Sequence, residues 1–170
     1  MPTTLSAMPR RLRALQCLGR LLGDGPVELP EIRWRDTVLL ADEQLLVPAL
    51  AVALRARPDL AGPAVEAHLG QAHRRNLVRN TLLRRQSLQV MRSLNGVGIE
   101  PLLMKGALYF FDGTLPDVGA RFTGDLDVVV PRGLWEDSIQ ALRAAGYVPD
   151  PGKAYMHPHE LPIVAMGTPS

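Results

Sequence analysis

The chain has 170 residues, of which 46% are hydrophobic and 21% charged, the balance of an ordinary globular domain. A single cysteine, Cys17, excludes an intrachain disulfide and a cysteine-based metal site, and no stretch approaches the roughly 20 apolar residues of a membrane span. The net charge of +2 is carried almost wholly by arginine, with Lys105 and Lys153 the only lysines. That bias alone is no nucleic-acid footprint, although it does not exclude nucleic acid, and the expectation is a soluble cytoplasmic protein with no membrane partner.

Residues 1–35 are broken by prolines and glycines and allow one short helix near 10–21. A helical region follows over 36–97. Asp36 stands before Thr37-Val38-Leu39-Leu40 as an N-cap, and Pro48 kinks or splits the run that continues to Leu54. Pro63 suits a first helical turn, and the segment from there to Asn95-Gly96 reads as one long amphipathic helix. Its apolar face is expected to hold Leu69, Ala72, Leu77, Leu83, Val90, Met91 and Leu94, with Arg74, Arg75, Arg79, Arg84, Arg85 and Arg92 on a solvated face.

From residue 98 to 170 the pattern turns α/β. Residues 99–104 read as a buried strand, 107–111 as a helical turn and 112–124 as a loop. Residues 126–130 read as a second strand, 134–145 as a helix closed by Gly146, 147–148 as the start of a third strand, and 161–166 as a last one. The expected fold class is α+β, with helices first and then a small mixed sheet carrying packed helices.

The chemistry concentrates at two places. In Thr123-Gly124-Asp125-Leu126-Asp127-Val128 the strand alternation puts Asp125 and Asp127 on one face, about 7 Å apart. Two such carboxylates repel unless a cation sits between them, and Mg²⁺ (or Mn²⁺) is the hard, oxygen-seeking ion for that place. The alternative is a strand end whose aspartates cap a turn or pair with arginine. At Met104-Lys105-Gly106-Ala107 a strand turns into a helix; the glycine admits close backbone approach of a phosphate and Lys105 adds a point charge. Lys105 as a plain surface lysine is the other reading. Arg121, four residues before Asp125, either clamps a phosphate or neutralises Asp125.

Tyr109, Phe110 and Phe111 either stack on a base or pack a core, Trp34 and Trp135 suit core or half-buried positions, and His157 and His159 are a metal pair or, given Pro158 between them, an exposed turn.

Lys105-Gly106, Arg121 and Asp125-Leu126-Asp127 ahead of a hydrophobic strand resemble the uncharacterised nucleotidyltransferase family of the DNA polymerase β-like superfamily. The resemblance extends over roughly residues 35–165. It takes in Arg35-Asp36-Thr37-Val38-Leu39-Leu40, Val47-Pro48-Ala49-Leu50, the helix from Asn76 to Leu94, and Ala144-Ala145-Gly146-Tyr147. It implies transfer of a nucleoside monophosphate from a nucleoside triphosphate to a hydroxyl acceptor of unspecified kind. Asp125 and Asp127 would be the catalytic metal ligands and Gly106 the phosphate turn; Lys105 and Arg121, from their own chemistry, are the further candidate contacts to the nucleotide. It also implies a third carboxylate on a strand after residues 157–162. The chain stops at Ser170, about where that strand begins, and Glu160 beside its prolines is a poor substitute. The expectation is therefore a site that is truncated or lacks its third ligand, on a protein that binds nucleotide better than it turns it over. A non-catalytic nucleotide-binding or interaction protein is the competing function. A D-x-D glycosyltransferase is disfavoured, because the region before the motif is helical rather than a run of alternating strands.

Overall fold

The computed structural model describes residues 9–23, 25–26 and 32–148, with backbone alone at 149, 155–156, 162–163 and 166–167. His157, His159 and Glu160 lie outside the described residues. The chain divides into two compact units, Met1–Leu82 with Tyr109–Gly124, and Leu83–Leu108 with Asp125–Ser170.

The first unit is helical. Helix α1 (Arg10–Leu22) buries Ala14, Cys17, Leu18 and Leu21, one face at steps of three and four. Helix α2 (Trp34–Glu43) begins two residues before Asp36, because Thr37 N–H already bonds Arg33 O at 3.0 Å. Asp36 is thus a first-turn acid favoured by the helix dipole, not the N-cap. Pro48 splits the run: α3 (Val47–Arg55) carries it in its first turn, where no intrahelical N–H is lost. Leu45 in the intervening turn takes φ 58°, a left-handed conformation that usually falls to glycine. These helices and Leu69 form a core around Leu18, Leu21 and Leu50. Arg57 closes the end of α1, donating to the carbonyl of Leu21 and to those of Arg20 (3.3 Å), Gly23 (2.9 Å) and Gly25 (3.2 Å). A guanidinium there satisfies orphan carbonyls and meets the negative end of the dipole.

Helix α4 (Pro63–Asn95) has the expected bounds, but its buried face differs from the expected one. The inward row is 69, 73, 76, 80, 83, 87, 90 and 94, alternating steps of four and three, and its middle is polar: His73, Asn76, Asn80 and Ser87 are buried. Leu77, expected in the core, stands outside that row and is exposed, as are Val78 and Leu82. The arginines of α4 are on the solvated face as expected.

In the second unit α4 ends with Ile99 N–H bonding Leu94 O at 3.0 Å across a left-handed Gly98 (φ 79°). This closure buries Ile99 and removes it from the expected strand. Only β1 (Leu102–Leu103) pairs, antiparallel, with β2 (Val128–Val129), and Leu102 is exposed rather than buried. Helix α5 (Trp135–Ala144) ends in a left-handed Gly146 (φ 90°), where Tyr147 N–H returns to Leu142 O at 3.0 Å. Val90, Leu94, Ile99 and Tyr147 form the core, with Leu126, Val128, Val130, Leu134 and Leu142 packed against it. Beyond α5, β3 (Val148–Pro149) pairs with β6 (Met166–Gly167), and β4 (Tyr155–Met156) with β5 (Pro162–Ile163), all antiparallel. The expected last strand is thus seen as the two short pieces β5 and β6. The fold is α+β. Among the described residues, no helix is long and apolar enough to cross a membrane.

Candidate active site

The second unit brings Lys105 and the acidic pair together through the register of its two strands. Leu103 pairs with Val128, and Met104 N–H donates to Asp127 O at 3.0 Å, so the ladder runs one step past β1. Lys105 follows, and its Nζ lies 3.1 Å from Asp127 Oδ2. Alternation holds on the acidic segment. Leu126, Val128 and Val130 pack on the core, whereas Asp125 is exposed and Asp127 half-buried.

Lys105 and Asp127 side chains are 72% and 34% exposed, so the pair adds little to stability, about 0–1 kcal/mol at most. Its interest is chemical: an ammonium is already drawn to the carboxylate where a cation is expected. Lys105 also adopts φ 50°, a left-handed conformation costing a residue with a Cβ about 1–2 kcal/mol. The left-handed position thus falls on Lys105, one residue before Gly106. Gly106 opens, with Lys105, the 3₁₀ turn Lys105–Phe110, whose first N–H groups have no partner within the turn's own pattern. Two hard oxygen donors on one strand side suit Mg²⁺ or Mn²⁺ as part of a ligand set. Among the described residues no group of three or more His, Cys, Asp or Glu side chains converges.

Arg121 belongs to the first unit, where its guanidinium lies 4.5 Å from the centroid of the Tyr109 ring. Phe110 is buried and Phe111 exposed, so only Phe110 is a core residue of the expected kind. Trp34 and Trp135 are half-buried as expected.

The loop that carries Arg121 is held by residues to which sequence reasoning gave no role. Asn76 Nδ2 donates to the carbonyls of Gly119 (2.7 Å) and Arg121 (2.9 Å), and Asn80 Nδ2 to those of Val118 (2.5 Å) and Arg121 (2.7 Å). Asp117 accepts from Arg55 at 2.7 Å and from Gly119 N–H at 2.8 Å, and pairs with His73 Nε2 at 3.0 Å. Burial alone would raise the Asp117 carboxyl; the hydrogen bonds from His73, Arg55 and Gly119 outweigh it and hold the group below its ordinary value. Gly119 is required there, since a Cβ would come within 2.5 Å of His73 Nε2. The signal available in the sequence was three polar residues, His73, Asn76 and Asn80, on the same helical row as Leu69, Val90 and Leu94.

A sequence model described as an uncharacterised nucleotidyltransferase matches residues 30–162. No curated protein and no solved structure matches the chain.

Proposed function

We propose, from the premise that the chain belongs to the uncharacterised nucleotidyltransferase family, that it transfers a nucleoside monophosphate from a nucleoside triphosphate to a hydroxyl acceptor at Lys105, Gly106, Asp125 and Asp127. The observation that supports this most is the Lys105–Asp127 pairing at 3.1 Å, beside Asp125 and at the start of a 3₁₀ turn. Asp125 and Asp127 would hold the Mg²⁺ or Mn²⁺ ion, which supplies positive charge to the triphosphate and the leaving pyrophosphate.

The rest falls to the chain's own groups. Lys105 exchanges its carboxylate partner for a phosphate oxygen as the substrate arrives, a move its exposure allows. The backbone at Gly106 lets a phosphate approach without a side chain in the way, and the strained Lys105 backbone holds the ammonium at the strand end.

A second reading, a nucleotide-binding protein without turnover, is favoured by one observation: no third metal-ligating side chain joins Asp125 and Asp127 among the described residues.

Lys105→Ala tests the phosphate role. Affinity for a triphosphate should fall by about 1.5–3 kcal/mol, the worth of one charge-assisted contact, while affinity for the matching nucleoside is unchanged. Equal affinity of both proteins for the triphosphate would reduce Lys105 to a surface lysine.

A further inference from the structure

A groove of about 510 Å³ opens in the first unit, between the turn joining α2 to α3 and one face of α4, a volume in the range of small-molecule sites. Its α4 wall carries His68, Ala72, Arg75 and Arg79, again at alternating steps of four and three, so they share a face beside the buried row. Arg75 and Arg79 are like charges one turn apart, an arrangement that repels itself until an anion joins it. The small Ala72 leaves space between these cations and His68. Arg79 is held in orientation, its guanidinium 4.3 Å from the centroid of the Phe122 ring. The opposite wall holds Asp42 and the exposed Leu45, the latter kept in its strained left-handed conformation. Among the described residues, the side chains of His68, Arg75 and Asp42 have no hydrogen-bond or ion-pair partner.

We propose that this groove binds a phosphate monoester carrying a free hydroxyl, with the phosphate on Arg75 and Arg79 and the hydroxyl donating to Asp42. Two guanidinium groups match the charge and the three terminal oxygens of a phosphate better than the two oxygens of a carboxylate. The Asp42 carboxylate repels an anion and accepts from a hydroxyl, so it orients the neutral end of the ligand. Leu45 and Ala72 give the ligand's carbon skeleton an apolar bed.

The test is calorimetric titration at fixed ionic strength with glycerol 3-phosphate, inorganic phosphate and glycerol. Glycerol 3-phosphate should bind more tightly than inorganic phosphate, and glycerol should not bind. Arg75→Ala and Arg79→Ala should each weaken glycerol 3-phosphate about tenfold or more, and Arg75→Lys should recover only part, since a point charge replaces a planar fork. Asp42→Asn should narrow the gap between glycerol 3-phosphate and inorganic phosphate. Thermal unfolding of each variant confirms that it is folded. The binding does not depend on nucleotidyl transfer, so Asp127→Asn should leave it unchanged. Absence of saturable binding, or equal binding by the arginine variants, overturns the proposal. So does loss of binding in Lys105→Ala with Arg75→Ala unaffected, because the phosphate would then belong to the candidate active site.

Discussion

Asn80 offers a sharp test of how the loop before the acidic strand is held. Its side chain is fully buried, and its Nδ2 donates to Val118 O and Arg121 O. Asn80→Ala removes two hydrogen bonds worth about 1 kcal/mol each. Arg121 O keeps its bond from Asn76 at 2.9 Å, whereas Val118 O loses its side-chain donor, which puts the cost of that one bond at about 1–3 kcal/mol in all. Against this, Asn80 Oδ1 is buried with no partner among the described residues, so its removal returns about 1 kcal/mol. The net expectation is about 1–3 kcal/mol of destabilisation. Asn80→Asp should cost more, because a buried carboxylate would face two carbonyl oxygens and must take up a proton or force its way out. Urea unfolding of the three proteins measures both differences. A loss below about 0.5 kcal/mol in Asn80→Ala, or an Asn80→Asp protein as stable as the parent, would refute the clamp.

Two further predictions concern backbone and pH. Lys105→Gly should raise stability by up to about 1 kcal/mol, since relief of the left-handed strain exceeds the added chain entropy, while triphosphate affinity falls as in Lys105→Ala; a drop in melting temperature would contradict the strain. The Asp117 carboxyl is depressed in the folded protein, so its stabilisation is fully present above the unfolded value of about 3.9 and is lost as pH falls through the lower folded value. The stability gap between the parent and Asp117→Asn should accordingly shrink as pH falls below about 4; a gap that stays constant from about pH 5 down to about pH 3 would remove the linkage.

Strong punctuation made much of the helical region legible. Pro63 and Asn95-Gly96 bound α4, and Gly146 closes α5, because proline and glycine act through local sterics. The start of α2 is not legible from Asp36, which is as well suited to a first turn as to a cap. The buried face of α4 was only half legible. A hydrophobic pattern finds Leu69 and Leu94; His73, Asn76 and Asn80 share their row and are buried because a loop more than 37 residues further along offers carbonyls to the two asparagines and the Asp117 carboxylate to His73, partners that no local pattern identifies. Composition alone puts Ile99 in a strand, whereas the left-handed Gly98 folds it back onto the helix end. At the candidate site, the alternation of Asp125 and Asp127 against Leu126 and Val128 was readable. The strained residue was not, since Gly106 is the natural occupant of a left-handed position and Lys105 takes it instead.

Nucleotidyl transfer by this chain is read directly as release of pyrophosphate from a labelled nucleoside triphosphate in the presence of Mg²⁺ or Mn²⁺ and a broad acceptor extract, comparing the parent with Asp127→Asn and Asp125→Asn. Metal-dependent release that falls by about two orders of magnitude or more in both variants is the expected result, about 2.7 kcal/mol of lost transition-state stabilisation. Release that survives in both variants, or nucleotide binding without release in the parent, would contradict it.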